Sequence, residues 1–316
     1  LIEAWVTVLV TSGYANHADN LWKPDTKSLP KATGEISAGA GYGSEGSTFG
    51  FSIMENNFRG KGINLNASLS LSEERVKGSF SYTHPNFNYS GNMVTGGIAS
   101  QKTDSADSGY ENTLNSVNVG TKFEQYDNIF FSPALELSFD DLKVDASASD
   151  SLKKQAGDFT EFNFNYGLEM DKRDRSFLPT SGSIVSFSQS VPIYADQPSL
   201  FNRLSYSKYH GFSDDVIGAV KFYAASITSL DEDVRLSKRI NLPSRRLRGF
   251  ETNKVGPVDQ GDYVGGNYAS ALNFEAQLPN LLPEATQTDV AAFLDFGNLW
   301  SVDYDSSACL LYTSDA

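Results

Sequence analysis

The residues best equipped for chemistry lie in one basic segment. From Arg235 to Pro257 the chain reads Arg-Leu-Ser-Lys-Arg-Ile-Asn-Leu-Pro-Ser-Arg-Arg-Leu-Arg-Gly-Phe-Glu-Thr-Asn-Lys-Val-Gly-Pro. Six of the 25 Lys and Arg residues fall in it before Gly249. The segment has no hydrophobic period, so it reads as a long loop, and such loops are usually functional or disordered. Arginine grips a carboxylate through two parallel hydrogen bonds and keeps its charge. Two candidate carboxylates follow in the next strands: Glu275, on the polar face, and Asp295 within Phe293-Leu294-Asp295-Phe296-Gly297. An arginine folded inward would pin the loop to a wall that carries them. The other destination for a basic loop is the surface of anionic lipid.

Other chemistries find less support. Gly39-Ala40-Gly41-Tyr42-Gly43-Ser44-Glu45-Gly46 has a dinucleotide-like glycine spacing. That motif needs a helix at its end, but Phe49-Gly50-Phe51-Ser52-Ile53 follows and alternates like a strand. The three histidines, His17, His84 and His210, lack metal-ligand spacing. No Gly-x-Ser-x-Gly elbow occurs. The acidic groups Asp140-Asp141, Asp214-Asp215 and Asp231-Glu232-Asp233 stand at strand ends and read as solvated loop charge. Neither a catalytic residue nor a metal or other cofactor is expected.

The elements that must hold the loop are strands. In Ile63-Asn64-Leu65-Asn66-Ala67-Ser68-Leu69-Ser70-Leu71, every odd position is apolar and every even one polar. Successive strand side chains point to opposite faces, so this segment has an oily face and a wet one. The pattern recurs at Phe162 to Met170 and Leu272 to Leu278. Weaker copies lie at Ile36 to Tyr42, Phe49 to Ile53, Val76 to Tyr82, Met93 to Ser100, Val117 to Phe123 and Leu135 to Phe139. Others span Ile184 to Val191, Leu204 to His210, Val216 to Ile227 and Val290 to Trp300. Thirteen strands are thus expected between Gly34 and Trp300, with no helical period of any length.

Alternation alone permits either face inside. Strand number, strand lengths of about nine or ten residues and the lack of a covering helix favour the oily face outside, in lipid. The expected fold is therefore an all-β, antiparallel transmembrane β-barrel. A closed barrel satisfies every backbone group without water. The runner-up is a soluble all-β repeat or sandwich.

Composition agrees. The charge is 25 basic minus 39 acidic residues, or −14, which argues against a nucleic-acid partner. With one cysteine, no disulfide forms within the chain. Leu1 to Val10 is apolar but holds Glu3, and Thr11 to Pro30 has no period. The last residues, from Cys309 to Ala316, do not continue the strand pattern and read as non-native tail.

Leu247-Arg248-Gly249-Phe250 resembles the Val-Arg-Gly-Phe/Tyr loop motif of BamA-type outer-membrane assembly factors. That superfamily also holds TamA, two-partner secretion transporters and organelle import barrels. Asp171, Arg173 and Asp174, followed by Pro179 and Gly182, resemble the family's Asp-x-Arg-Asp…Pro-Thr-x-Gly turn. Gly265-Gly266-Asn267, Asn273-Phe274-Glu275 and Phe293 to Trp300 agree in order, as does Asn57-Phe58-Arg59-Gly60-Lys61-Gly62. The resemblance runs from Gly34 to about Asp303.

The resemblance implies a barrel of about sixteen strands with the motif loop folded into the lumen. It implies that Arg248 contacts Glu275 and Asp295. It makes Ile36, Ser37, Ala38, Gly39, Ala40, Gly41 and Tyr42 the first strand, whose free edge at a lateral gate pairs with an unfolded outer-membrane protein client. Implied partners are the outer-membrane bilayer, such clients and accessory lipoproteins of an assembly complex. The expected organisation is a linker or remnant of a preceding periplasmic domain over 1–33, the barrel over 34–304, short of its last strands, and the tail over 305–316. The expected function is folding and insertion of outer-membrane proteins. The alternative is export of a polypeptide, with a passive porin third.

Overall fold

The computed structural model describes residues 2–8, 33–43, 46–105, 109–146, 148–213, 215–251, 254–259, 261–279, 281, 290–303 and 311–315. The stretch from 9 to 32, His17, Asp214 and Cys309 lie outside the described residues.

One antiparallel sheet of fifteen strands dominates the structure, and its neighbours in space are neighbours in sequence. Thirteen strands fall between Gly34 and Trp300, one for each alternating segment. They are β2 (Gly34–Gly43), β3 (Gly46–Phe58), β4 (Ile63–Ser72), β5 (Arg75–His84), β6 (Met93–Ser105), β7 (Tyr110–Tyr126) and β8 (Ile129–Val144). After them come β9 (Gly157–Asp171), β10 (Gly182–Ala195), β11 (Ser199–Ser213), β12 (Val216–Ser229), β15 (Tyr268–Leu278) and β16 (Val290–Trp300). A two-stranded hairpin, β13 (Val258–Asp259) with β14 (Asp262–Tyr263), belongs to the long loop after β12. A single helical turn, Asp150–Lys153, caps the loop after β8.

Two further strands flank this set. β1 (Ile2–Val8), inside the stretch expected as linker, pairs with β2; β17 (Leu311–Asp315), inside the expected tail, pairs with β16. β1 and β17 are the two ends of the sheet, which is not closed.

The oily row faces out. Phe49, Phe51, Leu69, Phe80, Ile98, Val117, Leu137, Phe139, Leu168, Phe274 and Leu294 are all exposed. The polar row faces in, where Asn112, Asp140, Glu161, Asn163, Asn273 and Asp295 are buried. Large apolar side chains fully in contact with solvent would be costly, so this exterior matches hydrocarbon.

Strands in the middle of the sheet are longer than expected. β7 has 17 residues and β8 has 16. At about 3.4 Å per residue, β7 reaches roughly 55 Å, more than a tilted strand needs to cross a bilayer. The excess lies at the end nearest the long loop. There the outer face turns polar: Lys102 pairs with Glu111 at 3.0 Å, and Lys143 lies 3.7 Å from Glu111. Those strand ends stand clear of the lipid.

The loop after β12 packs against the inner wall and creates the main apolar core. Its Val234, Ile240, Leu242, Leu247 and Val255 cluster with Tyr223, Ala225, Ile227, Ala269, Ala271 and Leu299 of the wall. Leu236 and Val264 reach a second cluster with Leu142, Ala148, Leu152 and Val302. One loop touches both β8 and β16, which are six strands apart in the sheet. At about 4.8 Å per strand, only a strongly curved sheet allows that.

Candidate functional site: the anchored lumen loop

The site begins with Leu247, which is 1% exposed and rests on Gly297 of β16. A Cβ at Gly297 would lie 3.2 Å from both Leu247 methyl groups, so glycine gives the loop its close approach. Seating Leu247 puts Arg248 over β15 and β16. Its guanidinium donates from Nε to Asp295 Oδ2 at 2.8 Å and from Nη2 to Asp295 Oδ1 at 2.6 Å. The Arg248 backbone N–H donates to the same carboxylate at 3.0 Å. Nη1 lies 2.9 Å from Glu275 Oε1, and the guanidinium carbon stands 3.7 Å from the centre of the Phe293 ring. The hydrogen bonds to Asp295 hold the Arg248 pKa above its ordinary value.

The two carboxylates are themselves oriented. Asn273 donates to Asp295 Oδ1 at 2.8 Å, and Lys221 of β12 donates to Glu275 Oε2 at 2.6 Å. Glu275, Asn273, Asp295 and Phe293 share the inner face because the period-two pattern sets them there. Gly249 follows with φ +84°, a left-handed turn that glycine adopts without strain. Phe250 packs against the apolar cluster.

A second anchor, absent from the sequence reading, grips the opposite wall. Arg235 donates from Nη2 to Glu161 of β9 at 2.6 Å, and its Nε is 3.3 Å from Asp140 of β8. Lys238 donates to the other Glu161 oxygen at 2.7 Å, and Ser237 donates to Asp140 at 2.6 Å. The Arg235 guanidinium also lies 4.1 Å from the Phe159 ring centre. Asp140 is 4% exposed. The reading of Asp140 as solvated loop charge is therefore corrected: it is a lumenal strand residue with a cationic partner. Its place on the polar row, after Glu136 and Ser138, was the signal available. Its neighbour Asp141 does face solvent, 3.6 Å from Lys143.

The turn residues form a separate constellation at the other end of the sheet. Arg173 grips Asp171 in two hydrogen bonds, Nε to Oδ1 at 2.9 Å and Nη2 to Oδ2 at 2.7 Å. Asp174 accepts from the Thr180 hydroxyl at 2.6 Å and from the N–H groups of Thr180 and Ser181 at 3.0 and 3.1 Å. Those donors hold its pKa down at about 2. Pro179 is buried, and Gly182 has φ +92°. A Cβ at Gly182 would run into the Lys172 carbonyl oxygen.

Ile36 to Tyr42 all lie in β2, far along the sheet from Arg248. On one side β2 pairs with β3. On the other it pairs with β1, from Ile2 opposite Tyr42 to Val8 opposite Ile36.

Residues 57–310 match the Omp85 superfamily domain. The chain belongs to the Omp85 superfamily. Over 294 residues this Omp85 chain is 26% identical to outer membrane protein assembly factor BamA of Neorickettsia risticii, a match covering 88% of the chain and 39% of that relative. It is 25% identical over 171 residues to the human sorting and assembly machinery component 50 homolog, covering 50% of the chain and 36% of the relative. The Omp85 chain thus spans about two-fifths of these relatives' length. Among solved structures, BamA from Haemophilus ducreyi lacking POTRA domains 1–3 superposes with a TM-score of 0.77 at 19% identity, over 90% of this chain and 66% of that one. CdiB from Acinetobacter baumannii gives a TM-score of 0.54 at 13% identity, over 90% and 53%. The Omp85 chain is a BamA-type outer-membrane β-barrel.

Proposed function

We propose that the parent protein folds and inserts outer-membrane β-barrel proteins, and that the first barrel strand, β2, is the template to which a client strand adds. The observation that carries this reading is the pairing of β2 with β1. An extended seven-residue segment lies antiparallel along the outer edge of β2 in continuous register. That segment is no hairpin partner, since more than twenty residues separate it from β2. Backbone hydrogen bonds let a free edge take a strand, the basis of β-augmentation. Ala38, Gly39, Ala40 and Gly41 have little side chain to obstruct a newcomer.

The reaction needs no covalent chemistry. A client strand entering lipid must satisfy its backbone groups, and a template edge does so. The anchored loop keeps the inner wall fixed while the edge exchanges partners. We assign 34–304 to the barrel, 1–33 to the approach from a periplasmic domain, and clients and accessory lipoproteins to the partners. Export of a polypeptide through the lumen is the second reading. It fits less well, because the loop crosses from β8 and β9 to β16 and is fixed at both ends.

The test is disulfide trapping in the full-length parent. Single cysteines at Ala38 and Ala40 should crosslink to cysteines in the final strand of a stalled client. Crosslinks should appear at alternate client positions, as an antiparallel or parallel register demands. Absence of any crosslink across several registers, with equal yields from β7 controls, would sink the proposal.

A further inference from the structure

The outer face of β11, β12, β15 and β16 holds a groove of about 810 Å³, at the level of Glu275 and Phe293, which meet Arg248 on the inner side of the same wall. Two cross-strand rows shape it. In one, His210, Gly218, Ala276 and Ala292 are successive partners; in the next, Lys208, Val220, Phe274 and Leu294 are. The first row is low and the second is tall. Phe212, 72% exposed, stands on the other side, and a Cβ on Gly218 would lie 2.6 Å from its ring. The result is an apolar channel in a surface that faces hydrocarbon.

Lys208 and His210 stand at one end of this channel. Two inward lysines of the wall have carboxylate partners: Lys122 of β7 has Glu169 of β9, and Lys221 of β12 has Glu275 of β15. Lys208 faces outward and makes no ion pair among the described residues. A lone ammonium on a lipid-facing strand is costly unless its stem carries the charge to the interface and meets an anion there. Its cross-strand partner on β10 is Ser183, the second residue of that strand, so Lys208 stands beside the turn that precedes β10. His210 is set edge-on to Phe212, with ring centres 4.8 Å apart.

We propose that this groove binds one anionic phospholipid, with an acyl chain along the channel and the phosphate against Lys208. Charge complementarity selects the headgroup, and the apolar walls select a chain rather than a soluble phosphate. The inference rests on the membrane placement of the outer face and not on the assembly function.

Native mass spectrometry of the detergent-refolded chain tests it, with phosphatidylglycerol and phosphatidylcholine of matched chains as probes. The wild-type chain should retain phosphatidylglycerol in preference to phosphatidylcholine. Lys208→Ala should lower that preference about fivefold, the worth of one basic side chain beside an anionic surface, and Lys208→Arg should keep it. Ala276→Leu, which fills the channel, should reduce retention of both lipids. Equal retention of the two lipids by wild type, or an unchanged preference in Lys208→Ala, overturns the proposal. Should Lys208→Ala fail to refold, judged by heat-modifiable gel mobility, unchanged lipid retention in Ala276→Leu overturns it alone.

Discussion

Arg248 and Asp295 face one another in a two-pronged ion pair, closed at 2.6 and 2.8 Å, with the Asp295 side chain wholly buried. A buried carboxylate stripped of its cation is left uncompensated, which typically costs about 3 kcal/mol or more. Arg248→Ala should therefore destabilise the barrel by about 3 kcal/mol in urea titrations of the detergent-folded protein. Arg248→Lys should recover little, because an ammonium is a single point charge and cannot span Asp295 and Glu275 together. A loss within about 0.5 kcal/mol for Arg248→Ala, the scatter usual for an inconsequential surface change, would mean that the pair does not secure the loop.

The second anchor is expected to act separately. Arg235, Asp140 and Glu161 share no residue with the Arg248 cluster. Arg235→Ala should cost a similar amount, again about 3 kcal/mol for an abandoned buried charge. The double variant should lose the sum of the two to within about 0.5 kcal/mol, as independent sites do. A double variant no worse than either single one would show that one anchor fails whenever the other does. Planar-bilayer conductance should rise in the double variant more than in either single one, since only then is the loop free at both ends.

The turn built on Asp174 should be sensitive to acid in a defined window. Its pKa is lowered to about 2, below the ordinary value of 3.8. A depressed carboxylate stabilises the folded form above its unfolded pKa, and that contribution fades as pH falls through the folded one. Protection of the Thr180 and Ser181 amides from hydrogen exchange should thus hold down to about pH 4 and decay toward pH 2. Asp174→Asn should show weaker protection at neutral pH and no such decay. Identical pH profiles for the two proteins would assign the protection to something other than Asp174.

Gly182→Ala should damage the same turn by a different route. The residue sits at φ +92°, and the added methyl would meet the Lys172 carbonyl. Strain of this kind costs about 1–3 kcal/mol. Limited proteolysis should cut between residues 172 and 181 faster than in wild type, while cleavage elsewhere stays the same. An alanine variant as resistant as wild type would show that the turn adapts.

Legibility differed between the parts of this protein. Each of the thirteen alternating segments corresponds to one strand, because the period of two is a local property written in side-chain order. Strand ends were less legible. β7 runs to 17 residues although only Val117 to Phe123 alternates clearly, since its outer half turns polar where it leaves the lipid. Arg248 stood out by its motif and Asp295 by its resemblance to a family segment. Arg235 had no such mark. Its partners, Asp140 and Glu161, are 95 and 74 positions away in the chain, and nothing local joins them.

Residue order by itself decided which side chains share a face, because alternation is geometric and survives any curvature of the sheet. It also settled that polar and oily rows are both long, which led to a membrane barrel. Only the tertiary structure decided which carboxylates meet which cations. That depends on how far the sheet curls and where the loop rests, and both are set by contacts such as Leu247 on Gly297 between residues distant in the chain. The pairing of β1 with β2 belongs to the same class, for a strand edge carries no side-chain pattern that names its partner.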